Sequence, residues 1–305
     1  MDRSVQVMCQ ALGHLSAPVR DHAQAALLRI GEPAVLPLCD RLTGSQPEVR
    51  HRALLLLAEL RDPRAAASLC RCVEDQDWQT RKLAVDALGK LGAPAIPALT
   101  ALIRRTTGHD RWWAVDALGQ TEAPEAAPIL LCCLRAEDAI VRRQAALAFG
   151  RIGDPEFCPA LVELTEDASP AVREGAALGL AGCGDGRAVA SLTALLQDSV
   201  CQVRAAAGVA LARLAEPESL SAVVAALKDD DSAVRWQAAV AISAILDQRP
   251  SAALTHRPTL HAAMPVLRRL GAAWSMEGGR QREAYLGALS RILTVTEWSN
   301  LPLPA

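Results

Sequence analysis

One arginine recurs along this chain at a nearly fixed interval, and that regularity constrains the fold more than any other feature. Arg20, Arg50, Arg81, Arg111, Arg142, Arg173, Arg204 and Arg235 stand 30, 31, 30, 31, 31, 31 and 31 residues apart. Three positions after each comes alanine (Ala23, Ala53, Ala84, Ala114, Ala145, Ala176, Ala207, Ala238). Seven positions after comes a larger apolar residue (Leu27, Leu57, Leu88, Leu118, Phe149, Leu180, Leu211, Ile242). Offsets of three and seven share one face of an α-helix, so each unit opens with an amphipathic helix A whose alanines permit close backbone approach. Punctuation follows the helix, as in Gly31-Glu32-Pro33, Arg61-Asp62-Pro63, Gly92-Ala93-Pro94, Gly153-Asp154-Pro155 and Ala215-Glu216-Pro217. Glycine ends one helix, and proline suits the first turn of the next, where an amide donor is not needed. A second apolar run, such as residues 188–196, then makes helix B.

Neither helix can bury its apolar stripe alone, so the units must stack into an α-solenoid held by nearest-neighbour cores. For 305 residues one would otherwise expect about two globular domains. The composition fits a stack of helix pairs: 51% of residues are hydrophobic, yet only 6 Trp, 2 Phe and 1 Tyr are present, leaving mostly small and aliphatic side chains. About eight two-helix repeats are expected over residues 1–247, followed by a divergent helical cap over 248–305.

The pattern Val-Arg-x-x-Ala-x-x-Ala-Leu-x-x-Leu-Gly, then a Pro-led helix ending in Leu-x-Asp, resembles the HEAT repeats of the short type found in phycobilisome lyase-like proteins. Residues 169–173 (Ser-Pro-Ala-Val-Arg) and 83–92 (Leu-Ala-Val-Asp-Ala-Leu-Gly-Lys-Leu-Gly) carry it best. The resemblance covers about residues 5–247 and implies an all-α superhelix of the armadillo type. It also implies an Asp-Arg ladder along the stack. Asp75, Asp167, Asp198 and Asp229 each precede a repeat arginine (Arg81, Arg173, Arg204, Arg235) by six residues, and each such Asp could also cap helix A. These residues read as structural, not as a binding site.

The ends depart from the period. Residues 5–15 align with a helix B lacking its helix A, with Leu12 matching Leu196 and His14 standing where Asp198 does. Residues 248–258 read as a break, 260–273 as a helix, and Gly278-Gly279 as a separator. Residues 282–292 restore a helix-A-like pattern 47 residues after Arg235. The tail 301–305 is expected to be extended or disordered.

Several function classes are disfavoured. A net charge of -2, from 32 Lys+Arg against 34 Asp+Glu, argues against a general phosphate-binding surface. No signal peptide and no membrane-length apolar run occurs, so a cytoplasmic protein is expected. The nine cysteines form no CxxC pair, and neither disulfides nor a zinc site is indicated. No GxxxxGK, GxSxG or HExxH is present. Deoxyhypusine hydroxylases, a HEAT-type family, hold a di-iron centre through His-Glu pairs, and this chain has no His-Glu dipeptide. No metal and no cofactor is expected. HEAT-like DNA glycosylases use Trp and Asp around a flipped nucleotide; Trp112 and Asp116 lie four apart on a helix A, but their offsets from Arg111 place both on its outer surface, which makes that reading remote.

Trp78, Trp112, Trp113 and Trp236 are candidates either for exposed contact residues or for covers over inter-repeat grooves. In helix B, which usually lines the concave side of such arrays, the positions two and five after the first core residue should face solvent. They read Asp40/Thr43, Arg71/Glu74, Ala101/Arg104, Cys132/Arg135, Glu163/Glu166, Ala194/Gln197 and Ala225/Lys228. Arg71, Arg104 and Arg135 form a basic stripe, which is either a docking surface or a solvated face. Charge is uneven: residues 154–247 carry 6 basic and 14 acidic side chains, and 248–305 carry 7 and 3. The favoured reading is a non-enzymatic scaffold or adaptor for an unidentified protein partner. Arg71, Arg104, Arg135, Trp112 and Trp236 are its contact candidates. The alternative is a phycobilin lyase, isomerase or phycobiliprotein-processing factor with a bilin ligand.

Overall fold

A computed structural model describes residues 3–43, 46–273 and 279–298, and these are helices joined by short turns. The chain divides into two compact units, Met1–Ile152 and Gly153–Ala305, each with its own interior. The boundary expected near residue 247 lies inside the second of these. In the first unit the helices are α1 (Arg3–Ala11), α2 (Ala17–Ile30), α3 (Val35–Arg41), α4 (Pro47–Leu60), α5 (Ala66–Cys72), α6 (Trp78–Leu91), α7 (Ile96–Arg105), α8 (Gly108–Gln120), α9 (Ala127–Cys133) and α10 (Ala139–Ile152). In the second they are α11 (Cys158–Glu163), α12 (Pro170–Cys183), α13 (Val189–Leu195), α14 (Cys201–Leu214), α15 (Leu220–Ala226), α16 (Ser232–Gln248), α17 (Ala252–Thr255), α18 (Arg257–Ala273) and α19 (Gly279–Trp298).

Even numbers from α2 to α16 are the A helices, and α1 to α15 in odd numbers are the B helices. Every alanine three residues after the repeat arginine is 1% exposed or less, and every apolar residue at offset seven is fully buried. The fold is an α-α superhelix. Within each unit, A helices pack side by side, α4 on α6, α6 on α8 and α8 on α10, and likewise α12 on α14 and α14 on α16. An A helix flanked by two others buries more than the stripe that faces its B partner. In α6 Val85 and Ala87 are buried besides Ala84 and Leu88, and in α14 Ala206, Gly208 and Ala210 are buried besides Ala207 and Leu211.

Small residues are the condition for this second buried face. A Cβ on Gly119 would lie 2.6 Å from the Ala148 Cβ, so only glycine lets α8 meet α10 at this distance. Each A helix from α2 to α14 is followed by a residue of positive φ that turns the chain into a short 3-10 segment before helix B. Glycine supplies it at Gly31, Gly92, Gly153 and Gly184, while Arg61, Glu122 and Ala215 adopt it at φ of 49°, 52° and 53°. A side chain there carries a steric cost that glycine avoids.

After α16 the period changes. The break expected over 248–258 contains the single turn α17, and the expected helix appears as α18. The helix-A-like segment lies in α19, which packs on α16 and α18, with Tyr285 buried. The expectation for residues 301–305 lies outside the described residues.

Two substitutions check this packing by urea melting. Gly119→Val should destabilise by about 1–3 kcal/mol through overpacking, while Glu122→Gly should stabilise by up to about 1 kcal/mol by relieving the left-handed residue.

Candidate functional site

The loop that follows a B helix presents carbonyl groups that no helix satisfies, and repeat arginines of the following A helices fold back onto them. The Nη1 of Arg173 donates to the Asp167 carbonyl at 2.8 Å, that of Arg204 to Asp198 at 2.9 Å, and that of Arg235 to Asp229 at 2.7 Å. In the first unit Arg20 does the same to His14 and Leu15, Arg81 to Asp75 and Gln76, and Arg142 to Ala136 and Glu137. The other edge of the guanidinium reaches forward to the next repeat. Arg173 Nε and Nη2 donate to the Asp198 carboxylate at 2.6 and 3.0 Å, and Arg204 pairs with Asp229 at 2.7 and 2.8 Å. Arg50 lies 3.7 Å from the Asp75 carboxylate.

These aspartates do not cap the first turn of helix A, as their position had suggested. Asp75, Asp167, Asp198 and Asp229 accept from the amides of Asp77, Ser169, Val200 and Asp231, two residues on, and so close the loop ahead of the helix. The N-cap belongs to the later residue: Asp77 accepts from Gln79 and Thr80, and Asp231 from Ala233 and Val234. Asp77 also meets His51 Nε2 at 2.8 Å and the Thr80 hydroxyl at 2.7 Å.

The ladder has an electrostatic consequence. Hydrogen bonding from Arg173 holds the Asp198 carboxyl below its ordinary range, against the opposing effect of burial. At Asp229 burial pushes upward, but bonds from Arg204 and the Asp231 amide outweigh it and leave the net shift downward. A carboxyl with a depressed folded-state value contributes stability above about pH 4, its unfolded value, and loses it as pH falls through the folded one. Thermal melting should therefore hold steady from pH 7 to about pH 5 and decline below about pH 4. In Asp198→Asn the melting temperature should be lower at pH 7 and its acid decline shallower.

Asp116 corrects the sequence expectation more strongly. It does not point outward: the residue is 9% exposed and lies between α8 and α10. Its carboxylate accepts from Gln144 Nε2 at 2.5 Å, Arg151 Nη1 at 2.9 Å and Gln120 Nε2 at 3.1 Å. The cause is the second buried face of an A helix, which takes in the offset of five that a single-stripe reading assigns to solvent. Trp112 is half-buried beside it on α8. Asp116→Leu leaves buried Gln144 without its carboxylate and should cost about 2–4 kcal/mol by urea melting, more than Asp116→Asn.

On the B helices, Arg71, Arg104 and Arg135 are exposed on α5, α7 and around the end of α9, as are the other positions two and five after the first core residue in every repeat. Arg71 Nη2 donates to Ser68 Oγ at 3.0 Å. Arg104 and Arg135 make no hydrogen bond or ion pair with the described residues. Beside them Arg105 pairs with Glu74 and ties α7 to α5. Burial pushes the Cys70 thiol up to about 12 and those of Cys72 and Cys133 to about 11, so they stay protonated at neutral pH; Cys132 is exposed.

Aromatic residues collect at the start of α8. His109 stacks on Trp112 with centroids 5.6 Å apart, Trp112 and Trp113 meet edge-on at 4.5 Å, and the Trp113 indole donates to His109 Nε2 at 3.0 Å. Arg81 of α6 lies over the Trp113 ring, 5.7 Å from its centroid. Trp78 is 61% exposed at the start of α6. Trp236 is half-buried on α16, with its indole nitrogen enclosed. Sequence offsets singled out these tryptophans but not the approach of Arg81 to Trp113, which needs a contact between repeats. A groove of about 630 Å³ runs past the C-terminal ends of α4, α6 and α8, lined by Ala58, Arg61, Asp86, Lys90 and Glu122 among others. Among the described residues no three His, Cys, Asp or Glu side chains converge as a metal site would require, and no helix is long and apolar enough to cross a membrane.

Comparison with known proteins agrees with this architecture. The family model described as HEAT repeats matches residues 35–119, 127–212 and 189–277, and the one described as PBS lyase HEAT-like repeat matches residues 110–135. No curated protein is significantly similar in sequence. Among solved structures, importin beta crystallised in ammonium sulfate is similar at 16% identity and a TM-score of 0.68, over 96% of this chain and 48% of that one. Kap95p, solved in a study of its binding to RanGDP, is similar at 16% identity and a TM-score of 0.62, over 95% and 46%. The chain spans just under half the length of both.

Proposed function

We propose that this chain, which belongs to the HEAT-repeat family, is a non-enzymatic scaffold or adaptor that binds another protein through the exposed face of its B helices. The observation that carries the reading is the arginine row. Arg71, Arg104 and Arg135 stand exposed on or beside three successive B elements of one compact unit, and two of them have no partner among the described residues. A surface arginine paired with a carboxylate has its field largely cancelled, as Glu74 does for Arg105; unpaired ones on a preformed surface offer an acidic partner charge complementarity at low ordering cost. Trp112 and Trp236 are further contact candidates, in keeping with the weight of tryptophan in interfaces. Importin beta and Kap95p have the same fold at low identity, and the RanGDP complex of Kap95p is an instance of this architecture binding a protein. A cytoplasmic location suits the reading.

Capture from the native host followed by mass spectrometry would identify the partner, and the triple variant Arg71→Glu, Arg104→Glu, Arg135→Glu tests the surface. Recovery of that partner should fall at least tenfold while circular dichroism stays unchanged. Undiminished recovery would remove the arginine row from the interface.

The match of residues 110–135 to the PBS lyase HEAT-like repeat supports a second reading, a phycobilin lyase, isomerase or phycobiliprotein-processing factor. Under it, mixing the protein with phycocyanobilin shifts the pigment's absorption band; an unshifted band counts against it.

A further inference from the structure

We infer that Arg81, with the His109, Trp112 and Trp113 rings beside it, is a docking point for an acidic segment of a partner protein, whose carboxylate supplies the ladder rung that this position lacks. The inference rests on the protein-interaction reading but uses a different set of residues from the arginine row.

Where the ladder is complete, each arginine divides its donors in the same way. Nη1 holds the loop carbonyl behind it, and the Nε/Nη2 edge grips the next aspartate, as in Arg173 with Asp198 and Arg204 with Asp229. Arg81 keeps the first half: its Nη1 donates to the Asp75 carbonyl at 2.6 Å and the Gln76 carbonyl at 3.1 Å. The second half is open. The residue 25 positions on, where Asp198 and Asp229 stand relative to their arginines, is Thr106. Its hydroxyl is spent on the Leu102 carbonyl at 2.7 Å. Its neighbour Arg105 brings positive charge and is already engaged by Glu74. Arg81 Nε is enclosed and has no acceptor. The fork is thus held in the orientation that grips a carboxylate elsewhere in this chain, without one.

Three further features say what kind of segment fits. Trp113 covers the guanidinium at 5.7 Å, a cation–π contact that partly replaces the missing charge. Trp112 and His109 extend that surface as a stacked pair, with His109 exposed. Trp78 stands one turn before Arg81 on the same helix and is largely exposed. A segment carrying Asp or Glu beside a ring-bearing residue such as proline, phenylalanine or tyrosine meets all of these: carboxylate to the arginine fork, ring to the indoles. For the carboxylate to reach Nε the Trp113 ring must turn aside and release its bond to His109, so binding is read directly in tryptophan emission.

The probe is a displayed library of random 12-residue peptides, selected on the full chain; chosen peptides are then titrated against it by fluorescence and calorimetry. The expected result is a selected sequence with Asp or Glu at a fixed place next to Pro, Phe or Tyr. Its affinity should fall at least tenfold in Arg81→Lys, which keeps the charge but loses the fork, and in Trp112→Ala. In Arg71→Glu, Arg135→Glu it should change less than twofold. Failure to select any peptide, selection without a fixed acidic residue, or unchanged affinity in both Arg81→Lys and Trp112→Ala overturns the inference. If affinity instead follows the Arg71 and Arg135 substitutions alone, the inference fails and the protein-interaction reading stands.

Discussion

A single guanidinium group in each repeat joins the end of one helix B to the beginning of the next helix A, and the packing of the stack depends on that junction. The loop carbonyls that follow a short helix B have no helical partner, and a charged donor reaching back to them is worth about 1.5–3 kcal/mol. Among the described residues, Arg20, Arg81, Arg142, Arg173, Arg204 and Arg235 show this Nη1 contact to the carbonyl five or six residues earlier, or to both. Arg111 reaches instead through Nε to the Ile103 carbonyl, in the repeat where α7 runs longer and the interval is one residue short. The carboxylate rung is a second, optional use of the same group. That division explains why arginine occurs in every repeat while the aspartate six residues ahead of it occurs in four.

With the junction fixed, the A helices are brought side by side, and small residues decide how closely. Ala148 against Gly119, and Gln237 against Gly208, are contacts at which an added Cβ would collide. The aliphatic, aromatic-poor composition is therefore a packing requirement. Close approach also buries polar positions that would be solvated on an isolated amphipathic helix, and Asp116 occupies one of these, held by Gln144, Arg151 and Gln120.

Much of this was legible in the sequence, for a physical reason: a repeat that contacts only its neighbours writes its packing into local spacing. The buried alanines and leucines of helix A and the exposed positions of helix B follow from offsets within one helix. What offsets within one helix cannot carry is the surroundings of that helix. The outward placement of Asp116 failed because α10 covers that face of α8. The capping role given to Asp75 and its equivalents failed because the loop inserts Asp77, Ser169, Val200 or Asp231 between them and the first turn. Arg81 and Trp113, 32 positions apart, become neighbours only through the stacking of α6 on α8.

The arginine junction makes one comparison decisive. Arg204 clamps the Asp198 carbonyl behind it and the Asp229 carboxylate ahead, so its loss should loosen two junctions, whereas loss of the Asp229 charge should loosen one. Native-state hydrogen exchange read by mass spectrometry distinguishes them. Arg204→Gln should raise exchange in both 197–203 and 228–234, and Asp229→Asn in 228–234 alone. Equal effects of the two substitutions, or an Arg204→Gln effect confined to 228–234, would contradict the claim that the backbone clamp, and not the carboxylate ladder, holds the repeats in register.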